Sequence, residues 1–171
     1  MPIITKRGDQ GETDLLFHKK APKISARIEA LGATDELNAH LGLARTMAND
    51  EALTSWIDGV QKNLINLMGE FATEEEDYQK YIKKGYGRIQ ENEVIALETL
   101  AAEHEDSGHT FRGWIRPGND GNQLTAQLHV CRTVCRRAER RSWAIPLPNT
   151  APRLYLNRLA DVLWLIASQS H

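Results

Sequence analysis

Arg132, Arg136 and Glu139 follow one another at spacings of four and three residues within Leu124–Arg141, LTAQLHVCRTVCRRAERR. Wound into a helix at about 100° per residue, this stretch puts Leu124, Leu128, Cys131, Cys135 and Ala138 on one apolar stripe, with the three charged groups along its edge. A helix that needed arginines only for solubility would set them opposite the core, where Arg137 and Arg141 fall. Two guanidinium groups one turn apart at a core boundary repel each other unless an acid or a bound anion lies against them. The chemistry this edge suits is therefore the holding of a negatively charged group. The only two cysteines, Cys131 and Cys135, lie on the apolar stripe. They read as core thiols rather than a metal pair or a disulfide, because no further cysteine completes a site and one-turn spacing on a helix suits a bridge poorly.

A second set of candidate groups opens the chain. TKRGDQGETDLLFHKKAP carries Gly8, Gly11 and Pro22 with Lys6, Arg7, Lys19 and Lys20 interspersed. Glycines let backbone N–H groups turn toward a phosphate, and lysines supply the charge. No apolar strand precedes the stretch and the G-K-[ST] ending is missing, so it is not a Walker loop. By itself it reads more simply as a frayed basic terminus. Further polar groups sit within apolar helical patterns. Asp35 and Asn38 fall on the stripe of Ile24, Ile28 and Leu31, so Asp35 either meets a cation there or lies half exposed at the stripe's edge. Asn157 and Asp161 share a face with Leu154, Trp164 and Leu165, where a structural network and a ligand are equally good partners.

Helices are the elements available to position these groups. Residues 1–22 read as a loop. The first helix runs over Lys23–Met47, and the second over Glu51–Phe71 with Leu53, Trp56, Val60, Leu64, Leu67, Met68 and Phe71 at core spacing. The acidic run Glu74–Asp77 reads as a solvated helix end and KKGYGR at 83–88 as a turn. The third helix spans Arg88–His104, with Ile89, Leu97, Leu100 and Ala101 inward. Residues 105–123 form a long glycine-containing loop around Phe111 and Trp114, of the kind that often carries function; its aromatics either cap the core or face a flat ligand. After the arginine helix, PLPNTAP breaks the chain, and Pro152 suits the start of a last helix, Arg153–Ser168, apolar almost all round and therefore central. Five helices without an alternating strand or a repeat predict an all-α antiparallel bundle.

At 171 residues, with 41% hydrophobic and 26% charged residues, the chain suits one globular domain over 1–171, a loop at 1–22 followed by a helical bundle at 23–171. A formal net charge of −2 disfavours bulk nucleic-acid binding while leaving a local anion site open. The start has no apolar signal-peptide core and no run approaches the roughly 20 apolar residues of a membrane span, so a cytoplasmic protein is expected, without a membrane partner. H-E-x-x-H, G-x-S-x-G and paired Glu-x-x-His patterns are all missing, and no protein metal site is read from the residues. The glycine-rich basic loop, the arginine edge, Asp35, Asn157 and Asp161 together suggest a triphosphate-sized anion held beside a bundle.

Three motifs in this order, TKRGDQGET at 5–13 with Lys23 following, RIEALGATDELNAHLGLAR at 27–45, and CRTVCRRAERR with YLNRLADVLWLIA toward the C-terminus, closely resemble the PduO-type ATP:cob(I)alamin adenosyltransferases over nearly the whole chain. The resemblance implies a ferritin-like five-helix bundle assembled as a homotrimer with active sites between subunits. It implies transfer of the 5′-deoxyadenosyl group of ATP to cob(I)alamin, releasing triphosphate, with Mg²⁺ bridging phosphate oxygens. Thr5, Lys6, Gly8, Asp9, Gly11, Thr13 and Lys23 would wrap the phosphates, Arg136 and Glu139 would complete the nucleotide site, and Asn157 would contact ATP. Asp35 would pair with Arg132 across the subunit boundary. The chain departs from the family where members usually carry a Phe shortly before Pro-Gly-Gly: here the segment is GWIRPGNDGN, so the aromatic over the corrin is Trp114 or, just upstream, Phe111. The same resemblance leaves room for a flavoprotein reductase and an adenosylcobalamin-dependent client enzyme as partners. The alternative from another class is a non-catalytic trimeric bundle that senses ATP or binds an acidic partner.

Overall fold

The computed structural model describes residues 4, 6–106 and 115–168. Within them lie six α-helices: α1 (Ala26–Met47), α2 (Glu51–Phe71), α3 (Tyr78–Lys83), α4 (Glu91–Asp106), α5 (Gln123–Ser142) and α6 (Ala151–Ser168). Short polar side chains start α1, α2, α5 and α6. Ser25 Oγ accepts from Ile28 N, Asp50 Oδ1 from Ala52 N at 3.0 Å, Asn122 Oδ1 from Leu124 N at 2.9 Å, and Asn149 Oδ1 from Ala151 N at 3.1 Å. Each supplies an acceptor to an amide that the first helical turn leaves unpaired.

α1 packs between α2 and α5, α5 packs on α6, and α6 packs on α4. Consecutive long helices alternate in direction. The side-chain links Gln127 to His40 and Arg141 to Glu29 set α5 antiparallel to α1, and Cys135 to Leu156 with Arg153 to Ser142 does the same for α5 and α6. α4 and α6 are parallel neighbours, since Glu91 lies near Ala151, Glu98 near Arg158 and Glu105 near Leu165. An odd number of alternating long helices cannot enclose a core without bringing two of like direction together. That core holds Leu37, Leu41, Ile57, Leu64, Leu67, Phe71, Leu128, Cys131, Cys135, Leu156, Leu159 and Leu163.

Two expectations about elements are corrected. The stretch expected as a loop contains a small antiparallel hairpin, β1 (Glu12–Asp14) with β2 (Lys20–Pro22), in the register Thr13 opposite Ala21. Three residues per strand are too few to show alternation, and the pairing is supported from outside. Leu16 N donates to Ala72 O at 3.0 Å, Lys19 pairs with Glu76, and Phe17 sits under Lys80 Nζ at 4.3 Å. The acidic run expected as a solvated helix end continues into α3 through a 3-10 turn at Glu75–Asp77.

The inward face of α1 also differs from the expected one. Ile24 precedes the helix and is 90% exposed, and Ile28 and Leu31 are only partly buried. The buried stripe is Ala30, Ala33, Leu37, Leu41 and Ala44. Small side chains let α1 approach α5 closely, and large aliphatics nearby in sequence drew the stripe to the wrong side.

Candidate active site

α5 carries five arginines, and the structure divides them. Arg137 forms an ion pair with Glu36, and Arg141 pairs with Glu29 at 3.7 Å, both across the α1 contact. Arg140 Nη1 donates to the carbonyl of Arg136 at 3.1 Å. Arg132 and Arg136 have no acidic partner among the described residues. Arg132 is partly buried and its Nε is enclosed with no hydrogen-bond acceptor; burial, and then the neighbouring Arg136, hold its guanidinium below the usual range. A buried guanidinium N–H without an acceptor costs free energy that a bound anion would recover. The expected edge is thus present, with Arg132 half-buried and Arg136 exposed beside it. The stripe behind it is as expected: Leu128, Cys131, Cys135 and Ala138 are buried and Leu124 is half-buried. Both cysteines are free. Burial pushes the Cys131 thiol up to about 12 and drives Cys135 upward too, so both stay protonated and act as core groups.

Glu139 is half-buried on the same edge, its Oε1 accepting from Trp143 Nε1 at 2.6 Å. On α6, Asn157 and Asp161 are exposed. The expectation that they are embedded in an apolar face is corrected: Leu154, on their side of the helix, is itself 46% exposed. Asn157 Oδ1 accepts from Arg158 Nη1 at 2.6 Å. Asp35 is likewise exposed rather than seated in the core. It precedes Glu36, which faces α5, and lies about 100° further round α1 on the solvent side. Neither Arg132 nor Asp35 has an ion-pair partner among the described residues.

The N-terminal segment converges on Lys23 as expected. A Cβ at Gly8 would lie 2.7 Å from Lys23 Nζ, so the ammonium comes close to this backbone and would have to swing aside for any larger residue. Gly11 takes φ +82° and its carbonyl accepts from Lys23 N at 2.7 Å, closing the loop three residues before α1. Lys6, Asp9 and Gly11 form consecutive tight turns through Asp9 N to Lys6 O and Gly11 N to Gly8 O, both 3.3 Å. Lys6 and Lys23 have no acidic partner among the described residues, while Arg7 lies 3.8 Å from Asp14 and Lys20 lies 3.6 Å from Glu12. A cleft of about 340 Å³ opens among Arg7, Gly8, Glu12, Thr13, Asp14 and Lys20. Thr5, Phe111 and Trp114 lie outside the described residues. No hydrogen bond or ion pair among the described residues joins this segment to Arg132, Arg136, Glu139 or Asn157. The structure brings together the residues within each half of the expected site, and no such contact among the described residues links one half to the other.

Sequence reasoning missed three polar groups that frame the site. Arg27, 5% exposed, donates to Phe71 O at 2.7 Å and Thr73 O at 2.9 Å and pairs with Glu74 at 2.9 Å, fixing the start of α1 to the end of α2. Glu70, 1% exposed, accepts from Tyr78 Oη at 2.6 Å, Ile89 N at 2.7 Å and Asn149 Nδ2 at 2.9 Å. Burial and this carboxylate drive the Tyr78 phenol upward. Trp143 is the third. A carboxylate about 60° from Leu67 on the wheel of α2 was the available signal for Glu70; the arginine in RIEAL carried none.

Among the described residues no group of three or more His, Cys, Asp or Glu side chains could hold a metal ion, and no helix is long and apolar enough to cross a membrane. Residues 3–169 match the cobalamin adenosyltransferase family model. The chain is 37% identical over 169 residues to a cobalamin adenosyltransferase of Cupriavidus metallidurans, covering 96% of this chain and 85% of the relative. It is 34% identical over 168 residues to a corrinoid adenosyltransferase of Citrobacter freundii, covering 96% and 92%. A variant PduO-type ATP:corrinoid adenosyltransferase of Lactobacillus reuteri, solved in complex with cobalamin and ATP, superposes with a TM-score of 0.86 at 28% identity over 97% of this chain and 89% of that one. An unpaired arginine edge, a glycine-lysine loop and these matches along the whole helical framework agree: the chain belongs to the cobalamin adenosyltransferase family.

Proposed function

We propose that this chain transfers the 5′-deoxyadenosyl group of ATP to cob(I)alamin at a site completed by a second copy of itself, releasing triphosphate and adenosylcobalamin. The observation that carries the proposal is the unpaired Arg132–Arg136 edge on a helix whose Arg137 and Arg141 are paired with acids. In the reaction the electron pair of Co(I) becomes the cobalt–carbon bond as the C5′–O bond breaks, and the oxygen keeps that bond's pair as triphosphate leaves. The nucleophile belongs to the substrate, so the protein needs no serine, thiolate or general base. Its tasks are to align C5′, to neutralise the leaving group and to exclude water.

In this reading Thr5, Lys6, Gly8, Asp9, Gly11, Thr13 and Lys23 wrap the phosphates, Arg136 and Glu139 complete the nucleotide site, and Asn157 contacts ATP. Lys6 and Lys23, without acids of their own, suit the anion. Asp35 of one copy meets Arg132 of the next. The exposure of Asp35 and Asn157, and the lack of any ion pair or hydrogen bond between the loop and the arginine edge among the described residues, support an intersubunit site in a homotrimer of bundles with five long helices and the short α3, each a single domain over 1–171 with a phosphate-binding loop at 1–22. The aromatic set against the corrin is Trp114 or Phe111. Mg²⁺ would accompany ATP and help to neutralise its phosphates. A cytoplasmic enzyme served by a flavoprotein reductase, and supplying an adenosylcobalamin-dependent client, is the cellular setting this chemistry fits.

The test is anaerobic. Purified protein, MgATP and chemically reduced cob(I)alamin are mixed and the absorbance change of cobalt–carbon bond formation is followed. Light-sensitive product with stoichiometric triphosphate is expected. ATP binding without product would reduce the chain to a nucleotide-sensing bundle.

A further inference from the structure

Glu139 stands three residues after Arg136, a spacing at which an acid and a base on a helix ordinarily pair. They form no ion pair here. Glu139 Oε1 instead accepts from the indole N–H of Trp143 at 2.6 Å, one turn toward the helix end. Trp143 is itself held. The Arg153 guanidinium lies over its ring at 4.8 Å, and Arg153 is anchored by the carbonyls of Ser142 and Ile145. The indole is 64% exposed, so core packing does not account for it. An exposed ring that is braced on one side and donates to a carboxylate on the other has a positional task.

We propose that Trp143 is a positioning residue of the nucleotide site: it draws the Glu139 carboxylate away from Arg136 and so keeps the Arg132–Arg136 pair uncompensated for the triphosphate. A Glu139–Arg136 ion pair would compete with the phosphates for the same guanidinium, and the indole N–H removes that competitor. The inference rests on the reading above that these arginines receive the leaving triphosphate.

Trp143→Phe tests it, since phenylalanine keeps a ring under Arg153 and lacks the donor. The probe is inorganic tripolyphosphate, titrated calorimetrically into the full chain, with ATP in parallel. Trp143→Phe is expected to weaken both about three- to fivefold, the worth of one partly shielded ion pair, and to raise KM for ATP more than it lowers kcat. Adding Glu139→Gln in the Trp143→Phe background is expected to return tripolyphosphate affinity to that of Glu139→Gln alone, a rescue that a merely structural tryptophan would not give. Unchanged tripolyphosphate affinity in Trp143→Phe overturns the proposal, with or without a loss of ATP affinity, and so does failure of the rescue. Because tripolyphosphate binding needs no turnover, a chain that binds it and makes no adenosylcobalamin would refute the transferase reading while leaving the role of Trp143 decided on its own.

Discussion

Two charged groups of this molecule, one deep in the core and one half-buried at its edge, meet opposite fates. The Glu70 carboxylate, between α2 and the segments 78–89 and 145–150, accepts from a phenol, a backbone amide and a side-chain amide, all between 2.6 and 2.9 Å. The Arg132 guanidinium, on the edge of α5, keeps a buried N–H with no acceptor and has a second cation one turn away. Burying a charge is costly in both places. At Glu70 the fold offsets that cost with its own donors, so the site is finished when the chain has folded. At Arg132 it does not, and the unmet part is what an anion can supply. A completed polar network marks structure; an incomplete one at a surface marks a ligand.

The contrast breaks most sharply at Arg136. Arg136→Ala is expected to lower adenosyl transfer by at least ~100-fold, the scale of losing one preorganised charge at a developing anion, while the melting temperature and the oligomeric state persist. Near-normal turnover would remove Arg136 from the site. Glu70→Ala should do the reverse. It strands the Tyr78 hydroxyl, the Ile89 amide and the Asn149 amide in a buried space, and a loss of roughly 2–4 kcal/mol in chemical denaturation is expected, with KM values of the surviving folded enzyme little changed. Stability within error of the parent would mean that water replaces the carboxylate and the network is not the closed unit described here.

A middle case sharpens the comparison. Asp35 is exposed and has no ion-pair partner among the described residues, which sets it beside Arg132 as an unfinished group rather than beside Glu70. Asp35→Asn is expected to weaken subunit assembly or corrinoid use more than ATP binding. Sedimentation and the two Michaelis constants separate these, and a change confined to the ATP constant would place Asp35 elsewhere.

Much of this was readable before any coordinates, and the reasons are local. Leu128, Cys131, Cys135 and Ala138 repeat at helical spacing with strong apolar contrast, so the buried face of α5 and the position of Arg132 and Arg136 at its edge follow from periodicity alone. α2 was legible for the same reason. The face of α1 was not, because three of the five residues of its buried stripe are alanines, whose burial is decided by a neighbouring helix and not by their own hydropathy. The hairpin at 12–22 escaped because its strands depend on Ala72, Glu76 and Lys80, all distant in sequence. Asp35 and Asn157 were singled out by their place among apolar residues, and the structure exposes them: Ile24 and Leu154, read as core, are themselves exposed, while Ile28, Leu31 and Trp164 are half-buried and Leu165 is buried. Glu70 was passed over because a lone carboxylate in a helix gives no sign of the three donors that converge on it from elsewhere in the chain.

The smallest expected effect is the most direct control, because Arg136 and Arg137 are adjacent on one helix and differ only in the direction they face. Arg137 is paired with Glu36 across the α1 contact, and both side chains keep more than a third of their surface in water. An exposed pair of this kind contributes at most about 0.5 kcal/mol, since solvent screens the attraction and two long side chains lose freedom to form it. Arg137→Ala is therefore expected to shift unfolding by no more than that, and to leave kcat and both Michaelis constants within about twofold. If Arg137→Ala instead matched the loss at Arg136→Ala, the helix would be acting through its total positive charge, and the distinction between paired and unpaired arginines would have no functional meaning. A neutral Arg137→Ala beside an inactive Arg136→Ala would locate the anion on one side of α5, about 100° round the helix from the side that only holds α1 in place.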